Sequence, residues 1–139
     1  MAGNKSQYLS DQVLNWLKGT TFVATPADTY VALFTTMPVY AGTGGVEVSG
    51  GSYARVAIAA AGWSAIATGG GNGDQIDNTA AVNFPTPTAG WGTVVGFGLY
   101  DASTGGNLLY FDTLTGGSQV VNSGNTVSFA AAALVVAED

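Results

Sequence analysis

Side-chain catalysis needs a nucleophile and a group to activate it, and this chain has many serines but no histidine and no cysteine. What remains is a Ser–Lys pair or a pair of carboxylates. Lys5 and Lys18 both belong to the helical end of the chain, where a solvated or helix-terminal cation is the ordinary role. The carboxylates are Asp11, Asp28, Glu47, Asp74, Asp77, Asp101, Asp112, Glu138 and Asp139. A glycosidase pair would have to be drawn from loops on one side of a cleft. Asp101 opens a turn and Asp28 precedes a strand, so each has a local hydrogen-bonding role. No enzymatic activity is expected.

Gly70 to Asn78 (GGNGDQIDN) is the one stretch rich in calcium-type oxygen donors, from Asn72, Asp74, Asp77 and Asn78. It occurs once, and its spacing matches neither an EF-hand nor the nonapeptide of calcium β-rolls. A plain turn is the expectation, with no metal and no cofactor. The glycine clusters Gly42–Gly45 and Gly96–Gly98 lack the lysine and hydroxyl of a phosphate loop and read as backbone devices for bulges or close strand packing. Arg55, the single arginine, is expected to form a structural salt link with Glu47 or Asp101. Among the aromatics, Trp16, Trp63, Trp91, Tyr30, Tyr53, Tyr100 and Phe111 fall on expected elements and read as mostly core. Tyr40 instead lies in a Pro/Gly loop, where it is either an exposed contact residue or an aromatic folded back over its own loop.

The elements that position these residues are nearly all strands. Leu9, Val13, Trp16 and Leu17 recur at helical spacing, widened by Leu14, and Gly19 stands where a left-handed cap belongs, so residues 8–18 are expected to form one helix. Expected strands are Thr29–Thr36, Tyr53–Ala60, Trp63–Thr68, Ala80–Phe84, Trp91–Asp101, Asn107–Thr115, Ser118–Val121 and Thr126–Val136. About eight strands separated by Gly-, Asn- and Pro-rich turns define an all-β fold, an antiparallel β-sandwich or jelly-roll-like barrel with one N-terminal α-helix. The turns Asp101–Asn107 and Asn122–Asn125 read as hairpin loops. A length of 139 residues fits one domain, divided into an N-terminal arm (1–7), the helix (8–18) and the sandwich (29–136).

Composition excludes several partners. Nine acidic and three basic residues give a net charge of −6, which repels phosphate backbones, so no nucleic acid is expected. The longest apolar run, Phe129 to Ala137, is well short of the about 20 residues a membrane-spanning helix requires, and no secretory signal is legible, so no membrane is expected either. Low charge and 21 glycines fit a surface that is either bland or covered by neighbours.

Several segments taken in order, Thr29 to Thr35 (TYVALFT), Gly44 to Val56 (GGVEVSGGSYARV), Trp91 to Asp101 (WGTVVGFGLYD), Gly105 to Leu109 (GGNLL) and Ser128 to Ala131 (SFAA), resemble a family of small virion proteins of tailed bacteriophages, commonly labelled structural or tail-fibre proteins. The resemblance implies a virion location. A chain without coiled coil, β-helix or repeats is short for a reaching fibre, so within that family it is expected to be a capsid decoration or cement protein. It would stabilise the head through non-covalent contacts with the phage major capsid protein and with sister copies, as a homotrimer. The alternative is a tail-associated fibre or receptor- or glycan-binding module, with the Gly-rich loops and Tyr40 carrying recognition. The expected partner-contact residues are Asn4 and Lys5 in a flexible docking arm, together with Trp16 and Tyr40.

Overall fold

The structure is a computed structural model that describes residues 4–69 and 73–138. In chain order the elements are β1 (Asn4–Lys5), α1 (Gln7–Leu17), β2 (Asp28–Thr36), β3 (Val46–Glu47), β4 (Val56–Ala59), β5 (Ala67–Thr68) and β6 (Asp74–Asp77). These are followed by β7 (Val82–Asn83), β8 (Gly92–Val94), β9 (Gly96–Tyr100), β10 (Leu108–Thr113), β11 (Gln119–Val121), β12 (Ser128–Phe129) and β13 (Val135–Glu138). Among the described residues all strand pairings are antiparallel, and the architecture is an all-β sandwich with one α-helix.

Strand β2 organises the larger sheet, because its run of β-branched and aromatic residues suits a position with both faces covered. Val31 to Phe34 are at most 2% exposed. The sheet order is β1-β10-β9-β2-β3, and β4 shares the outer edge of β2 with β3: β4 pairs with Asp28–Val31, β3 with the Phe34–Thr36 end. Val31 and Leu33 point with Leu99 and Phe97 into the main core, against Val94, Val121, Leu134 and Val136 from the opposing layer. That layer is in pieces: β13-β6-β5, β12–β7 and β11–β8. Short strands joined by glycine- and proline-rich turns cannot form one continuous ladder, so side-chain packing holds the layer together.

On the other face of the main sheet, Gly98 faces Ala32 and Phe111 across two ladders. A Cβ at Gly98 would lie 2.7 Å from the Phe34 ring and 2.8 Å from Leu108 Cδ1, and both side chains are buried. Gly98→Ala is therefore expected to cost about 1–3 kcal/mol by overpacking, read as a lower urea midpoint at unchanged m-value.

Three expectations are corrected here. The stretch Trp91–Asp101 is not one strand: at Val95 the chain changes partners, β8 pairing with β11 while β9 pairs with β2 and β10. The turn Asn122–Asn125 forms, with Asn122 N–H on Asn125 Oδ1 (2.8 Å) and Gly124 at φ +82°, but it is no hairpin. Its flanking strands leave for different partners, β11 to β8 and β12 to β7. Thr126–Val136 likewise divides into β12 and β13 around a turn in which Ala132 has φ +62°. The hairpin across Asp101–Asn107 is present, joining β9 to β10.

Helix α1 runs from Gln7 to Leu17, one residue ahead of the expected 8–18, with Ser6 as its N-cap. Ser6 accepts from Leu9 N–H through Oγ, donates from Oγ to Leu108 O, and anchors its own N–H on Leu109 O (2.9 Å). At the far end Gly19 takes φ +87°, the left-handed cap conformation. The helix nevertheless buries none of its residues. Tyr8, Leu9, Gln12 and Asn15 are half-buried, whereas Val13, Leu14, Trp16 and Leu17 are exposed, Trp16 at 59% and Leu17 at 70%. The expectation that Trp16 belongs to the core is corrected.

Candidate contact surfaces

Of the segment read as an arm, Met1–Gly3 lie outside the described residues. Asn4 and Lys5 are docked as edge strand β1, opposite Phe111 and Tyr110 of β10. Lys5 Nζ meets Glu138 Oε2 at 3.0 Å, and Glu138 Oε1 accepts the Tyr110 hydroxyl, so the first and last strands are clasped across β10. Burial, reinforced by the hydrogen bond to Glu138 and its charge, pushes the Tyr110 hydroxyl well above the ordinary phenol range.

Of the two readings of Tyr40, the structure has the exposed one, with Val39 exposed beside it. Its carbonyl accepts from Gln7 N–H at 2.8 Å, which ties the loop to the first turn of α1. Ser6 and Tyr8, the Ala41–Gly42 backbone, Tyr100 and the Gly106–Leu108 end of the β9–β10 hairpin line a shallow cleft of about 170 Å³. The Tyr40 loop, the hairpin tip and the helix start thus converge on one face. Trp16 is not part of it, being nine residues along the helix from Gln7, about 14 Å along the axis at 1.5 Å per residue.

Arg55 stiffens this face. Its Nε and Nη2 grip Glu47 Oε1 and Oε2, each at 2.8 Å, while Nη1 donates to Ala102 O (2.9 Å) and Gly105 O (2.8 Å). The guanidinium lies 3.7 Å over the Tyr100 ring. Of the two expected partners, the carboxylate is Glu47. Asp101 is instead engaged inside its own loop by Asn107 N–H (2.7 Å) and Nδ2 (2.8 Å). Tyr53 extends the network, donating to Glu47 Oε1 (2.8 Å) while accepting Leu33 N–H (3.0 Å). Burial alone would raise the Glu47 carboxyl, but the hydrogen bonds from Arg55 and Tyr53 and the Arg55 charge outweigh it and hold the group below its ordinary value.

The calcium-type run takes another form. Gly70–Asn72 lie outside the described residues, Asp74 to Asp77 are strand β6, and Asn78 is 1% exposed. Asn78 Nδ2 donates to Ala80 O (2.8 Å) and Ala130 O (2.9 Å), and Oδ1 accepts Leu134 N–H (2.8 Å). Its side chain is fully used by backbone. Among the described residues no three acidic or other metal-binding side chains gather.

A feature with no sequence signal is a half-open cleft of about 510 Å³ between the β8–β11 and β12 edges. Leu33, Val94, Phe97 and Phe129 form its floor, and no charged side chain lines it. It arises from long-range packing of segments with no shared motif.

Arg55 with Glu47, and Lys5 with Glu138, are tied into structural links, while Tyr40, Val39 and Trp16 stand exposed at the surface. The chain belongs to the family of the podophage GP4 fiber I protein gp80, whose family model matches residues 4–137. It is accordingly a phage fibre-family structural protein, located in the virion. No curated protein matches the chain.

Proposed function

We propose that this chain is a tail-associated fibre module that acts by binding rather than by catalysis, presenting the Tyr40 loop and the β9–β10 hairpin tip to a ligand on the host surface. The observation that carries the reading is the fibre family match over residues 4–137. The site supports it in detail: two loops of separate origin meet at one face, Arg55 holds the hairpin backbone from beneath, and Tyr40 and Val39 stand exposed at 53% and 56%. A preorganised loop face loses little conformational freedom on binding. The cement reading, with the major capsid protein as partner, rests on chain length, the lack of coiled coil, β-helix or repeats, and a surface poor in charge.

Virions carrying Val39→Ser and Tyr40→Ser are expected to assemble with the normal amount of this protein but to adsorb to host cells at least tenfold more slowly. Antibody labelling in electron micrographs should mark the tail. Label distributed over the shell, or undiminished adsorption by the double variant, would overturn the proposal.

A further inference from the structure

The apolar stripe of α1 faces the wrong way for a monomer. Tyr8, Leu9, Ser10, Gln12 and Asn15 are half-buried, so of the apolar stripe only Leu9 is partly covered, while Val13, Leu14, Trp16 and Leu17 turn to water. The chain that leaves the helix continues the pattern: residues 19–27 are all exposed, with Phe22 at 40% and Val23 at 42%. Gly19 N–H on Trp16 O (3.0 Å) and Thr20 N–H on Asn15 O (2.9 Å) fold the start of that segment against the last helical turn.

We propose that α1 and the segment after it form the contact between copies of this chain, helix on helix along Val13, Leu14, Trp16 and Leu17. Two quantities support a sister copy as the occupant. The six exposed apolar residues leave on the order of 500 Å² of side chain in water, near the top of the ~300–600 Å² found for the largest patch on an ordinary monomer. Two such patches joined remove on the order of 1,000 Å², the size a stable interface has to reach. The helix also needs its cover permanently, because an isolated helix of fewer than ~12–15 residues is marginal in water and the packing of its apolar face normally sustains it. A sister copy is present whenever the chain folds. The four stripe residues carry no charge, which suits association between chains of net charge −6. The inference is independent of where in the virion the protein sits.

Light scattering after gel filtration should give the purified chain a mass that is a multiple of 13.9 kDa. Trp16→Glu with Leu17→Glu should reduce it to a single chain while the strand signal in circular dichroism is kept. Because the chain has no cysteine, single cysteines at Val13, Leu14 and Leu17 report the contact: under mild oxidant at least one should link copies, while Ile66→Cys, more exposed than any of them and in the loop just before β5, should not. A wild-type chain that stays single at high concentration, a charged double variant with unchanged mass, or linking no better than at Ile66 would each overturn the proposal. A single wild-type chain whose double variant fails to enter virions would assign the stripe to a different virion protein and so also overturn it.

Discussion

Arg55→Ala is expected to lower folding stability by about 3 kcal/mol, because removing one partner of a largely buried pair leaves the other charge without compensation. The exposure of the Arg55 side chain is 7% and that of Glu47 27%, so water reaches the carboxylate only in part and the loss sits at the lower end for a buried pair. The same substitution frees two hairpin carbonyls, Ala102 O and Gly105 O, and uncovers the Tyr100 ring. Arg55→Lys should recover only a minor share, since an ammonium cannot grip both carboxylate oxygens and reach two carbonyls from one planar group. Urea denaturation checks both variants through the midpoint at constant m-value. A loss under about 0.5 kcal/mol for Arg55→Ala would place the clamp among surface pairs of little consequence.

This clamp also sets a pH dependence. The Glu47 carboxyl is held below its ordinary value in the folded chain, so the folded state binds this proton less readily than the unfolded one. Stability from that difference is complete above the unfolded value, about 4.3, and is lost as pH falls through the lower folded value. Thermal midpoints should therefore stay level from neutral pH to about 5 and decline below it. In Arg55→Ala the charge and hydrogen bonds of Arg55 no longer depress Glu47 and only the Tyr53 hydrogen bond does, so that part of the acid decline should shrink.

The same pair illustrates what was legible in the sequence. A lone arginine among few cations has few places to go, and its sequence neighbourhood points to Glu47 or Asp101; the second role, binding the hairpin backbone, depends on a fold that brings position 55 to positions 102 and 105. Strand β2 begins at Asp28, one residue before its expected start, because β-branched and aromatic density is a local signal. Strands β1 and β3 are two residues long, too short for any alternation to register. The turn at Asn122–Asn125 was legible as a turn, since its side-chain bond is local, but which strands flank it in space is a long-range matter. The helix was legible in position and cap but not in facing. Its apolar period says where a partner belongs and does not say whether that partner is the same chain.

Asn78 shows most sharply how a distant side chain can decide local structure. Ala130 to Ala133 carries no glycine, proline or asparagine, and by composition it reads as a continuation of a strand. It turns because Asn78 accepts Leu134 N–H and donates to Ala130 O, while Asn78 O takes Ala132 N–H (2.7 Å) and Asn78 N–H reaches Leu134 O (3.3 Å). Asn78→Asp keeps the shape and replaces the NH₂ with oxygen, so an ionised side chain would aim oxygen at Ala80 O and Ala130 O, which now lie within 2.9 Å of the donor. The carbonyls of Ala80 and Ala130, which belong to exposed residues, lose a part-buried hydrogen bond each, and a charge enters at a side chain that is 1% exposed, so the expected loss at neutral pH is about 2–4 kcal/mol. Protonation of the new carboxyl restores one donor, so its folded pKa must rise above the unfolded value. The stability it contributes is then present below the unfolded value of about 3.9 and lost as pH rises through the folded one. The gap between wild type and Asn78→Asp should accordingly narrow on acidification. A gap that stays constant with pH, or a loss under about 1 kcal/mol, would show that the Ala130–Leu134 turn holds without the Asn78 donor.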